Sequence, residues 1–145
     1  MSKPKQSFEN HARWFPMYHF IASPITAIAA LHLTWHFIRN PSTPHFLEAL
    51  YGIAIATAVL SSRLMAITVQ NRVIRLEMRL RLKEILPAAL VPRIHELTVR
   101  QLVALRFASD AEMPALVERT LKGEFATQKD IKRAITDWQA DHLRA

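Results

Sequence analysis

Seven histidines, at positions 11, 19, 32, 36, 45, 95 and 142, are the side chains best able to do chemistry in this 145-residue chain, which has no cysteine. His32 and His36 are four residues apart, so on a helix their rings share a face about one turn apart. That spacing holds a metal between two imidazoles, or presents one axial imidazole to a haem or chlorin. A haem held by two histidines of this chain would need an opposing histidine at similar depth in the second apolar run, and positions 46–69 contain none. No metal-ligand set and no resident cofactor is therefore expected, with a haem or chlorin on His32 or His36 as the alternative. Arg63, beside Ser61 and Ser62, is a second polar cluster. It lies near the end of an apolar run, from which a long basic side chain reaches headgroups. There is no Gly-rich phosphate loop, no H-E-x-x-H, no nucleophile elbow and no pair of carboxylates in a polar setting, so catalysis is not expected.

The elements that must carry these residues follow from charge segregation. Half of the chain is apolar and 21% is charged, with a net charge of +7. Residues 17–69 hold three charges (Arg39, Glu48, Arg63), whereas residues 70–145 hold 24 of the 31. An ordinary soluble domain would not divide so sharply. Tyr18–Ile38 is 21 residues without Asp, Glu, Lys or Arg, about 30 Å as a helix and so the thickness of a hydrocarbon core. Trp14, Phe15 and Tyr18 at one end, and Trp35 and Phe37 at the other, suit the two interfaces. Phe46–Val69 is the second candidate span, opened by Thr43 as N-cap and Pro44 as first helical residue. The short link Arg39–His45 makes the pair an antiparallel hairpin. Lys3, Lys5 and Arg13 precede the first span and Arg72, Arg75, Arg79, Arg81 and Lys83 follow the second, against Arg39 alone in the link. By the positive-inside rule both termini are cytoplasmic.

Nothing breaks the second helix until Pro87, so it should extend past the membrane as far as Leu86. At 100° per residue the extension carries two apolar faces, one of Val69, Val73, Leu76 and Leu80, the other of Ile74, Met78, Leu82 and Ile85. Arg72, Arg75, Arg79 and Lys83 form a basic stripe between them, placed to meet anionic lipids rather than nucleic acid. Glu77 and Arg81 are ordered for an i,i+4 pair. A surface helix needs one apolar face. Two faces point to neighbours on two sides, and the expected assignment puts Leu76 and Leu80 against the chain's own core and Met78 and Leu82 against a partner. From Pro87 onward short helices are punctuated by capping boxes at Thr98–Gln101 and Ser109–Glu112, by Gly123 as a helix stop, and by Thr127 as a cap. The first of these helices is expected to run through Phe107, and the last to carry Ile131, Ile135 and Trp138. This bundle has nine basic and eight acidic residues and no basic recognition helix, which speaks against a nucleic-acid partner.

The expected fold is all-α: an N-terminal interfacial segment 1–17, transmembrane helices 18–38 and 46–69 joined by an outer link 39–45, a helical extension 70–86 and a cytoplasmic bundle 87–145. The strings VIRLEMRLRL (73–82), Leu86-Pro-Ala88, RQLVALRFASD (100–110) and Trp138-Gln-Ala-Asp-His142, with Asn10-His-Ala-Arg13 and Tyr18-His-Phe20, resemble the DUF6526 family of small two-span membrane proteins of unknown function. That resemblance covers most of the chain and implies a bacterial inner-membrane protein, with no chemistry to transfer. Ala30-Leu-His-Leu-Thr-Trp35, with Arg39 and Pro41, is similar to the chlorophyll-binding helices of light-harvesting polypeptides, which implies a chlorin as the alternative ligand. Without catalytic groups, and with a doubly apolar helix, the expected function is a non-catalytic accessory or scaffold subunit beside a larger membrane protein complex.

Overall fold

Proline decides how the first helix begins. Pro24 has no N–H to donate, and its ring crowds the carbonyl four residues earlier. The computed structural model, which describes residues 7–9 and 14–141, meets this with a π-helical segment, Met17–Ala22, in which the Ser23 N–H reaches back to the Tyr18 carbonyl. The wider turn places Pro24 at the second position of the regular helix α1, Ser23–Arg39. Helix α2 runs unbroken from Thr43 to Ile85, about 65 Å. A hydrocarbon core of about 30 Å would hold roughly half of it. Met17–Arg39 and Thr43–Ile85 are both long and apolar enough to cross a membrane. Ser42, not Thr43, precedes α2, its Oγ accepting from the His45 N–H at 3.4 Å. His45 therefore belongs to the helix and not to the link.

Among the described residues there is no strand, and the chain divides into two compact units: Trp14–Thr68, and the described residues from Val69 onward with residues 7–9. In the first unit the two helices come close together at Gly52. A Cβ there would lie 3.0 Å from Leu33 Cδ1 and 3.2 Å from the Ala30 Cα. With Ala49 also buried, this is the small-residue contact by which apolar helices approach. Gly52→Leu should push the helices apart at a cost of about 1–3 kcal/mol. A lower unfolding temperature of the detergent-solubilised protein, with Gly52→Ala intermediate, is the expected result.

The second unit is a small helical bundle: a 3-10 helix, Val91–Glu96, then α3, Val99–Leu105, α4, Met113–Leu121, and α5, Gln128–Ala134. Ile74, Met78, Leu82 and Leu86 of α2 enter its core beside Leu102, Leu105, Phe107, Met113, Val117 and Ile131. Local punctuation follows the sequence closely. Thr98 and Gln101 form a complete capping box, as do Thr127 and Asp130. The Thr127 hydroxyl, donating to Asp130 at 2.7 Å, holds that carboxyl below the usual carboxylate range. A depressed pKa means that the cap's contribution persists above that range and is lost only as pH falls through the lowered value. Gly123, at φ 76°, closes α4 in a Schellman arrangement, with Glu124 N–H to the Arg119 carbonyl and Gly123 N–H to that of Thr120.

Three local expectations are corrected. Helix α3 stops at Leu105, after which a tight turn leads to Phe107. The Ser109–Glu112 pattern does not open a helix at once. Ser109 N–H meets Glu112 Oε1 at 3.3 Å, but α4 begins at Met113 without a side-chain cap. Glu112 instead accepts from the Thr136 N–H and hydroxyl, at 3.0 and 2.8 Å, clasping the segment after α5. Nor does Trp138 lie on a helix. The chain turns extended at Ile135, and Trp138 pairs with Ala108 in an isolated antiparallel bridge, stacking on Phe107 with ring centroids 4.6 Å apart.

Candidate functional site

Helix α2 carries two groups of candidate residues, one at its start and one in the second unit. In the second unit the two apolar faces are not equivalent. Met78 is 3% exposed and Leu82 fully buried, whereas Leu76 is 62% and Leu80 55% exposed. The expected assignment is therefore reversed. Met78 and Leu82 are core residues and do not face a partner, and the open face is Val69, Val73, Leu76 and Leu80. The physical reason lies in Leu86, buried four residues beyond Leu82, which together with Ile74 and Met78 completes the stripe that the bundle covers.

Arg72, Arg75 and Lys83 are exposed, while Arg79 is half-buried, with its Nε enclosed and without a hydrogen-bond partner among the described residues. Arg79 and Lys83 border a surface groove with Leu76, Leu80, Val91 and His95. Arg81 does not turn to Glu77. Its guanidinium donates to Asp110 at 2.8 Å, to the Ala108 carbonyl at 2.7 Å and to the Arg106 carbonyl at 3.3 Å. It thus ties α2 to the turn after α3, a contact 29 residues away that no local spacing announces. The shifted pKa values belong to surface pairs: a hydrogen bond from Arg93 lowers Glu96 and raises Arg93, and one from Lys122 lowers Glu118 and raises Lys122.

In the first unit, Arg63 is half-buried with its guanidinium 5.8 Å from the centre of the Tyr18 ring, a cation–π arrangement near the start of the first long helix. His32 is exposed and His36 half-buried, their rings stacked with centroids 6.4 Å apart. The residue opposite His36 is His45, with ring centroids at 4.2 Å and an interplanar angle of 73°. That contact leaves no room for a macrocycle between the two rings. Glu48 completes the group: one ligand atom from each of His36, His45 and Glu48 lies within 4.8 Å of the others. The signal in the sequence was His45-x-x-Glu48 on one helical face, hidden because His45 reads as part of the link. His11, Arg13, Lys3, Lys5 and His142 lie outside the described residues.

A family model described as a family of unknown function (DUF6526) matches residues 1–145. Neither a curated protein nor a solved structure matches the chain.

Proposed function

The chain belongs to the DUF6526 family of unknown function, and from the surfaces described above we propose that it is a non-catalytic integral-membrane accessory subunit docked beside a larger membrane protein complex. One observation carries this reading: Leu76 and Leu80 remain open on a helix whose other apolar face already fills the core. In this reading α1 and the first half of α2 cross a bacterial inner membrane with both termini cytoplasmic. Arg72, Arg75, Arg79 and Lys83 then leave the bilayer at headgroup level, where each basic residue adds about 1 kcal/mol of attraction to anionic lipid. Val69, Val73, Leu76 and Leu80 supply the apolar contact with the partner, and neither nucleic acid nor a reaction is assigned.

Co-purification from native membranes in mild detergent is the test, and a stable set of membrane proteins retained with the chain is the expected result. A chain that remains partner-free after gentle solubilisation and cross-linking defeats the reading. A Soret or red absorption band in the purified material would instead favour a haem or chlorin on His32 or His36. Reporter fusions at residues 42 and 145 should show opposite sidedness, and equal signals would rule out the hairpin topology.

A further inference from the structure

We propose that His36, His45 and Glu48 form a binding site for a borderline divalent transition-metal ion, with Zn²⁺ as the reference case. This inference rests on the geometry of the hairpin end and not on the accessory-subunit reading. Two elements bring the ligands together. His36 lies in the last turn of α1, and His45 and Glu48, three residues apart, share one face at the start of α2.

The second observation concerns the tautomer. His45 Nδ1 is 2.7 Å from the Asn40 carbonyl oxygen. A carbonyl only accepts, so Nδ1 carries the proton and Nε2 keeps its lone pair for a metal. A backbone carbonyl holding the far ring nitrogen is the usual support of a metal-bound histidine. Distances fit as well. Bonds of about 2.0–2.1 Å to a tetrahedral ion put neighbouring ligand atoms roughly 3.3 Å apart. One ligand atom from each residue, Nδ1 or Nε2 for a histidine, lies within 4.8 Å of the others, so drawing the set to tetrahedral spacing needs side-chain movement of about 1.5 Å.

Ligand chemistry narrows the ion. Two imidazoles with one carboxylate suit zinc, copper, iron or nickel, whereas calcium and magnesium take oxygen ligands. His36 and His45 are half-buried and Glu48 is exposed, so the ion would enter on the carboxylate side and keep one position for water. Glu48 lies past the first turn of α2, so attraction to the helix N-terminus does not account for its position, nor does it account for two imidazoles turned toward each other. Among the described residues this is the one group of three such ligands. A bound ion would fasten the last turn of α1 to the first turn of α2 across the link.

The test uses the full-length protein in detergent, purified without a histidine tag and freed of metal by chelator and dialysis. Zn²⁺ is titrated in competition with a chromophoric chelator, and Co²⁺ is added separately to read its visible absorption. Expected results are one equivalent of Zn²⁺ and a Co²⁺ spectrum of tetrahedral intensity. Loss of a supporting residue around a metal commonly costs about 10–100-fold in affinity. Loss of a ligand itself, in His36→Ala or His45→Ala, should reach the upper end of that range or exceed it, and Glu48→Gln should weaken binding by about 10-fold or more. His32→Ala and His95→Ala should bind as the parent does. Absence of stoichiometric binding in the parent overturns the site. So does unchanged affinity in His36→Ala and His45→Ala, which would place the ion on other histidines.

Discussion

Leu82→Asp is expected to unfold the second unit of the isolated protein, whereas Leu80→Asp, two residues away, leaves it folded. Leu82 is fully buried in the core formed by α2 and the short helices, and Leu80 is 55% exposed. Removing a buried leucine side chain costs about 2–5 kcal/mol, and placing a carboxyl group in the dry space adds about 1–3 kcal/mol more. A core of this size supplies about 3–5 kcal/mol in all. The first substitution therefore exceeds what the unit has, while the second should stay within about 0.5 kcal/mol. Near-UV circular dichroism and limited proteolysis of the solubilised protein read the difference. The same Leu80→Asp protein should lose its co-purifying partners, because the new charge falls within the contact proposed for that face. Equal destabilisation by both substitutions would make both faces internal core and remove the main support for the accessory-subunit reading. A folded Leu80→Asp protein that keeps all its partners would place the contact elsewhere.

Ending the chain after Ala126 should have the next largest effect. Helix α5 and the extended segment after it supply Ile131 and Ile135 to the core and lay Trp138 on Phe107. They also satisfy the Glu112 carboxylate through Thr136. Their loss uncovers Phe107, which is otherwise 1% exposed, and takes from the Glu112 carboxylate its Thr136 donors. The shortened protein should bind a hydrophobic dye and be cleaved rapidly between α3 and α4. A graded version is Trp138→Ala, which should cost about 3 kcal/mol, the lower end for a large aromatic because this ring is only half-buried. Protease resistance equal to that of the full chain would show that α3, α4 and the α2 extension hold together unaided.

The sequence by itself determined whatever depends on near neighbours along the chain. Charge depletion over residues 17–69 marked two helices long enough to cross a bilayer, and the lack of any breaker before Pro87 made the second continue far beyond that length. Thr98, Thr127 and Gly123 announced helix ends because a capping residue acts on backbone groups within three or four positions. Tertiary structure alone decided which apolar face of α2 is covered. Val69, Val73, Leu76 and Leu80 are as apolar as Ile74, Met78 and Leu82, so periodicity marks two faces but is blind to what packs against either. Arg81 follows the same logic, since Glu77 is its neighbour in sequence but Asp110 and two carbonyls are its neighbours in space. Trp138 was misplaced on a helix because its spacing from Ile131 and Ile135 is helical, while its position is set by the Phe107 ring and the Ala108 bridge. The meeting of His36 with His45 and Glu48 exists only once the link has reversed the chain, because ligands from two helices have no common period along the sequence.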